Sequence, residues 1–149
     1  MNKPKAIIVD LDGTLVEMEH RVSLVRQNPP DWKNFMEQIP SDKVNHWCHE
    51  LLKAFSLREY KIIIITGRGE RFDGLTKQWL ADHSIRYDEY YSRKSKDRRD
   101  DALVKKEIYL EQIKNRYDIL FVLDDRLSVV KMWRDELGLI TLQPDWGDF

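Results

Sequence analysis

A doubly wound α/β domain on a central parallel sheet is the fold class this sequence predicts, and three runs of residues predict it. Residues 6–9, 61–65 and 118–123 are short, almost continuously apolar and rich in branched side chains. A strand without polar alternation is buried on both faces, as in a parallel sheet covered by helices. Apolar residues at helical spacing fill the segments between them, and alternating strands and helices give a Rossmann-like layering. The chain has 149 residues, a 42% apolar share and five tryptophans, enough for one domain with a sizeable core. One domain over 1–149 is therefore expected, with 16–40 as at most a small cap.

The first strand, 6–9, runs into Asp10-Leu11-Asp12-Gly13-Thr14-Leu15. Two carboxylates at a strand's carboxyl end lie where open α/β sheets put their chemistry. Asp10 at the strand tip can attack phosphorus, and Asp12 can reach the leaving oxygen if the turn swings it round. Gly13 permits that turn, and the Thr14 hydroxyl can tie it. D-x-D alone reads better as an acidic turn; an apolar strand followed by D-x-D-G-T-L favours a site.

Residues 16–40 are the least regular part. Asp31 can cap a short helix carrying Trp32, Phe35 and Met36, and the segment either folds over Asp10 as a lid or lies along the surface. Pro40-Ser41 reads as a helix start, with Val44, Trp47, Leu51, Leu52 and Phe55 at helical spacing. His46 and His49 lack the i, i+4 spacing of a shared metal site and read as surface residues.

The strand 61–65 ends in Thr66-Gly67-Arg68-Gly69, a hydroxyl, a glycine turn and a cation suited to a phosphate. A helix with Leu75, Trp79 and Leu80 follows, then a strand over 87–91. The run Arg93-Lys94-Ser95-Lys96-Asp97-Arg98-Arg99 reads equally well as a solvated turn or as a surface steering a nucleic-acid strand past aromatics such as Trp32. Asp100 and Asp101 suit a helix start, and Lys105 lies four residues beyond Asp101 on the same helix face. The strand 118–123 ends in Asp124-Asp125-Arg126. A helix with Val129, Val130, Trp133 and Leu137 stops at Gly138, and 139–143 adds a last strand.

Composition excludes several classes. A net charge of -1 excludes a broadly basic protein, so any nucleic-acid contact must be a local patch. Cys48 is the only cysteine, which rules out an internal disulfide or a cysteine zinc site and suits buried filler. No apolar run reaches membrane length and no signal peptide opens the chain, so a cytoplasmic protein with no membrane contact is expected.

In a parallel sheet every strand's carboxyl end shares one edge, which gathers Asp10, Asp12, Thr66, Arg68, Asp124 and Asp125. Four carboxylates there repel one another and raise one another's pKa. Mg2+ relieves that repulsion in an oxygen-only site, whereas softer metals want histidine or cysteine. Asp12 can offer its main-chain carbonyl to the ion and keep its carboxyl for proton transfer. Asp10 would then form an aspartyl-phosphate, Asp12 would act as acid and base, and Thr66 with Lys105 would hold the phosphoryl oxygens. Taken alone, Lys105 reads as a surface lysine.

D-L-D-G-T-L, the strand ending T-G-R, the pair Asp101/Lys105 and the strand ending L-D-D-R resemble, in order, the four motifs of the haloacid dehalogenase-type phosphatases. The chain is more closely similar to the 3'-phosphatase domain of the T-even bacteriophage polynucleotide kinase/phosphatases. That likeness covers nearly the whole chain, is most specific over 123–134 and the final Gly147-Asp148-Phe149, and is weakest over 16–40. It implies Asp10 as nucleophile and Asp12 as acid/base. Thr66, Arg68 and Lys105 would hold phosphate, Asp101 would orient Lys105, and Asp124 and Asp125 would position Mg2+. It also implies a role for Arg21, eleven residues after Asp10, which otherwise reads as a surface residue. Gly67 and Arg126, which flank these positions, complete the substrate-binding candidates.

The phage enzymes pair this domain with a P-loop kinase. No G-x-x-x-x-G-K-[ST] occurs in these 149 residues, so a stand-alone phosphatase, or a separate kinase or ligase partner, is expected; a phage origin fits the likeness. Three functions stay open: a phosphatase acting on 3'-phosphorylated nucleic-acid ends, a phosphatase of mononucleotides or other small esters, and a non-catalytic phosphate-binding module.

Overall fold

The computed structural model describes residues 2–147. The five strands of its main sheet are β1 (Lys5–Val9), β4 (Lys61–Gly69), β5 (Glu89–Arg93), β6 (Asp118–Leu123) and β7 (Thr141–Leu142). All pair in parallel, in the order β5-β4-β1-β6-β7. This is the α/β architecture with a central parallel sheet that the apolar runs predict.

Side chains alternate across the sheet as extended backbone requires. Ile7, Val9, Ile62 and Ile64 face one layer, where Cys48 and Leu52 of α3 (His46–Leu57) and Trp79 and Leu80 of α4 (Asp73–Asp82) cover them. Ala6, Ile8, Ile63 and Ile65 face the other. There the cover comes from the turn Tyr109–Ile113 that continues α5 (Asp101–Ile108), and from α6 (Leu127–Lys131) with its continuation Met132–Glu136. Both continuations are π-helical, and Gly138 ends the second at φ +65°. Cys48 is buried, and burial pushes its thiol up to about 12.

The chain leaves β1 towards β4 and β5, then returns to β6 on the far side of β1. The topological switch point therefore lies between β1 and β6. Open α/β sheets place ligands in the crevice above that point.

Several boundaries differ from the sequence-based expectation: β4 continues through Thr66-Gly67-Arg68-Gly69, read from sequence as a turn, and the last strand, expected over 139–143, is only Thr141–Leu142. The helix expected at Pro40-Ser41 begins six residues later. Ile39–Ser41 is a single 3₁₀ turn, and Lys43–Val44 forms β3, antiparallel to β2 (Val16–Glu17). The capping chemistry at Pro40-Ser41-Asp42 is real but local, and Asp42 is drawn instead into a long-range ion pair. Asn45 takes the cap position, with its carbonyl accepting from the Cys48 and His49 N–H groups. The third strand, expected at 87–91, starts at Glu89, because Asp88 is used up on Ile62: its N–H donates to the Ile62 carbonyl and its carboxylate accepts from the Ile62 N–H, each at 2.8 Å.

Between β2 and β3 lie α1 (Glu19–Arg26) and α2 (Trp32–Glu37). Asp31 caps α2, accepting from the Asn34 N–H at 3.1 Å. His46 is exposed and His49 half-buried. No helix among the described residues is long and apolar enough to cross a membrane.

Candidate active site

The strand tips on either side of the switch point carry the acids. Asp10 follows β1, and Asp124 and Asp125 follow β6; all three are buried. One carboxylate oxygen from each lies within 4.8 Å of the others. Lys105, on α5 and 2% exposed, donates from Nζ to Asp10 Oδ1 and to Asp124 Oδ2, at 2.8 Å each. Burial works against the ammonium, but Asp10 and Asp124 overcome it and hold Lys105 charged.

The acids are held from outside as well. The indole N–H of buried Trp133 donates to Asp124 Oδ2 at 3.2 Å. The Thr14 hydroxyl lies 3.3 Å from Asp10 Oδ2 and 3.4 Å from Asp125 Oδ1, and donates to one of them at a time. Gly13 has φ +86°, and a Cβ there would collide with the Asp125 carboxylate. Only glycine gives both the left-handed turn and the room for Asp125. The terminal residues named in the sequence likeness are divided: Gly147 accepts from the Leu127 N–H at 2.9 Å, while Asp148 and Phe149 lie outside the described residues.

Burial pushes Asp10 well above its ordinary value, with help from Asp124 and against the pull of Lys105. Burial likewise lifts Asp125 to about 6. The donor set that causes this strain fits a hard dication. Counting the buried charges with Asp12, five carboxylates (Asp10, Asp12, Asp42, Asp124, Asp125) face three cations (Arg21, Arg68, Lys105), a formal balance of -2 with His20 neutral. Carboxylate oxygens at three converging positions suit Mg2+ better than a softer ion.

Asp12 stands apart from this trio. Its carboxylate accepts from Arg68 Nη2 at 2.6 Å and Nε at 3.1 Å, and from Arg21 Nη2 at 2.8 Å. Burial alone would raise its pKa, but Arg68 and then Arg21 bring it down to about 2. Both arginines are fully buried and share a second anchor, Asp42. Arg21 donates to Asp42 through Nε and Nη2, at 2.7 Å each, and Arg68 Nη2 reaches it at 3.5 Å. Arg21 also lies 4.1 Å above the Phe35 ring. A surface reading of Arg21 is thus overturned: it is interior, and it acts on Asp12.

The sign of the Asp12 shift makes a prediction. A carboxyl whose folded value sits below the usual 3.8 stabilises the fold above that value and loses the contribution as pH falls from about 4 to about 2. The shift is worth about 2 kcal/mol. Urea-unfolding free energies of the wild type and Asp12→Asn should converge over that window; parallel curves would show that the arginines do not hold Asp12.

The other candidates fall as follows. Thr66 is buried at the cleft, its hydroxyl accepting from the Arg68 N–H at 3.1 Å. Arg68 spends its guanidinium on Asp12, Asp42 and Thr76 rather than facing an open phosphate site. Asp101 makes no hydrogen bond to Lys105; it pairs with Arg93 and, at 2.5 Å, with Arg126. A Cβ on Gly67 would lie 2.6 Å from that Asp101 carboxylate, so Gly67 makes room for it. The Arg126 N–H donates to Asp124 Oδ1 at 3.4 Å. From sequence alone Asp42 is not singled out, Trp133 has no place at the site, and Arg93 appears only as part of a surface run. Above the acids opens a cleft of about 880 Å³, lined among others by Thr66, Gly67, loop 93–101, Met18, Trp32 and Met36.

Residues 4–149 match the family model of the polynucleotide kinase PNKP phosphatase domain. The chain belongs to that family. It is a haloacid dehalogenase-fold phosphatase. A solved structure of a Pnkp1/Rnl/Hen1 RNA repair complex contains a chain that this phosphatase resembles at 38% identity and a TM-score of 0.86, over 99% of its own length and 44% of that chain. A protein of Autographa californica nuclear polyhedrosis virus, named as a bifunctional polynucleotide kinase/RNA ligase, is 25% identical over 134 residues, 89% of this chain and 18% of the viral one. The phosphatase thus spans less than half of either relative. The class C acid phosphatase of Bacillus anthracis shares the fold at 16% identity and a TM-score of 0.67, over 98% of this chain and 70% of that one.

Proposed function

We propose that this phosphatase removes 3'-phosphates from nucleic-acid ends in a Mg2+-dependent reaction through an aspartyl-phosphate on Asp10. The observation that carries the reading is the Asp10–Lys105–Asp124 chain at the switch point, facing the cleft. A binding module has no need of a buried carboxylate held beside a cation at the floor of a cleft.

In the first step an Asp10 oxygen forms a bond to phosphorus as the ester oxygen leaves. The leaving oxygen takes a proton from Asp12. In the second step Asp12 draws a proton from water, whose oxygen attacks the aspartyl-phosphate, releasing inorganic phosphate and restoring Asp10. Asp12 is ionised in the free enzyme, as the second step requires. For the first step it needs a proton, which a phosphomonoester monoanion can bring because its second pKa is about 6. Lys105 and the Thr66 hydroxyl stabilise the charge that builds on the phosphoryl oxygens. Arg21 and Arg68 aim Asp12. The carboxylates of Asp10, Asp124 and Asp125, with the Asp12 main-chain carbonyl, would hold the Mg2+. When bound, the dication offsets the negative charge shared by nucleophile and substrate.

The relatives support a place in end repair, where 5'-kinase and ligase activities act on the same break, so separate kinase or ligase partners are part of this reading. A virus-encoded enzyme working in the cytoplasm is our reading of its setting, in keeping with the viral relative. The test is phosphate release from a 3'-phosphorylated oligonucleotide, its 5'-phosphorylated counterpart, and 3'- and 5'-mononucleotides, with Mg2+ or with EDTA. The 3'-phosphorylated oligonucleotide should turn over best, and EDTA should stop the reaction. Equal or faster turnover of mononucleotides would favour a small-ester phosphatase, and full activity in EDTA would remove the metal.

A further inference from the structure

The cleft above the acids is lined by both basic and apolar side chains, and the basic run 93–99 supplies part of that lining. The contacts divide that run. Arg93 is turned inward as a staple, donating to the carbonyls of Gly67 at 3.0 Å and Asp97 at 3.2 Å and pairing with Asp101. Arg99 is taken up by Asp97 and Glu107. Lys94, Lys96 and Arg98 are exposed on the lip of the cleft, and the nearest carboxylate to Lys94 is Glu70 at 3.7 Å.

Lys96 carries a second observation. It has φ +69° in a turn closed by the Asp97 N–H on the Lys94 carbonyl at 3.1 Å. Glycine is the residue that adopts this left-handed backbone freely. A lysine there accepts backbone strain while presenting a charge to the cleft.

Trp32 also lines the cleft; it is 52% exposed and braced edge-on by Phe35 with centroids 5.6 Å apart. An open ring flanked by Met18 and Met36 suits a flat base. Cations at alternate positions of a loop suit consecutive phosphates. A small phosphomonoester has no second phosphate for the loop to meet.

We propose that Trp32 with Lys94, Lys96 and Arg98 forms a subsite for single-stranded nucleic acid beside the scissile 3'-phosphate. The terminal base stacks on Trp32, and the preceding phosphodiesters run along the loop. This rests on the reading of Asp10 as a 3'-phosphatase nucleophile and makes the enzyme selective for polymers.

The test measures kcat/KM for a short 3'-phosphorylated oligonucleotide and for the matching 3'-mononucleotide across a salt series. In the triple variant Lys94→Ser, Lys96→Ser, Arg98→Ser the ratio of the two should fall about tenfold or more, and the logarithmic salt slope for the oligonucleotide should flatten by about 2. The control removes the same charge from exposed lysines that do not line the cleft, Lys53→Ser, Lys61→Ser and Lys131→Ser, and should change neither. Trp32→Ala should cost the oligonucleotide roughly tenfold to a hundredfold. Lys96→Gly should lower the ratio without lowering Tm, which separates charge from loop structure. An unchanged ratio and slope in the loop triple, or equal changes in the control, would overturn the subsite while leaving the phosphatase standing. A wild type that shows no preference for the oligonucleotide would overturn both the subsite and the polymer reading beneath it, before any variant is made.

Discussion

Asp10→Asn should reduce phosphate release by at least about 10⁴-fold while the protein stays folded. The amide keeps the shape of the side chain and removes the nucleophile. Lys105 loses one partner but retains Asp124 at 2.8 Å, so no buried cation is stranded. The substitution also removes a cost. Because burial and Asp124 raise Asp10, the folded state holds its proton more tightly than the unfolded chain does. Ionised Asp10 therefore weakens the metal-free fold increasingly as pH rises above the ordinary carboxyl value. At neutral pH the metal-free variant should melt no lower than the wild type. Calorimetry beside a phosphate-release assay checks both halves, and turnover within about tenfold of wild type would place the nucleophile elsewhere.

Lys105→Ala should have the largest effect on stability. It leaves Asp10 and Asp124 facing each other with no cation between them, and breaking a buried pair in this way costs about 3–5 kcal/mol. Lys105→Met retains the apolar stem and separates packing from charge. Turnover should fall about 10²–10³-fold in Lys105→Met through lost stabilisation of the phosphoryl oxygens. The sign with pH is distinctive. Lys105 holds Asp10 down, so its removal lifts Asp10 further, and the deficit against the wild type should be greatest at neutral pH and shrink towards acid as the carboxylates take up protons. Urea unfolding at neutral and mildly acidic pH measures this. A Lys105→Met protein with near-normal turnover and a pH-independent deficit would show that another cation serves the phosphate.

What could be read in the sequence was what local chain order encodes. Ile62 to Ile65 announce a buried strand because the run is short, without polar alternation and made wholly of β-branched residues. The acids of D-L-D-G-T-L and L-D-D-R announce themselves because strand ends in a parallel sheet converge. Residues whose partners are distant in the chain were hidden. Asp42 follows a Pro-Ser pair that looks like a helix start, and only Arg21 and Arg68, 21 and 26 positions away, reveal its purpose. Trp133 sits at a helical core spacing, which says nothing of the indole N–H aimed at Asp124. Arg68 belongs to a T-G-R stretch that reads as a phosphate-binding turn, yet the stretch is extended strand and its guanidinium is spent on Asp12, an anion 56 residues earlier. Arg93 opens a run of charges that reads equally as a solvated turn or a nucleic-acid surface, and the fold turns it inward onto Gly67 and Asp101.

The grip of Arg21 on Asp42 ties down both feet of the stretch in between. Residues 22–41, seated on the body by buried Phe35 and Ile39, form an arch whose two ends are clamped to each other and, through Asp12, to the reaction centre. The exposed residues of the arch are then free to vary without disturbing the acids beneath it. A chimera carrying a relative's arch between its own Arg21 and Asp42 should inherit the donor's choice of substrate and keep this enzyme's chemistry.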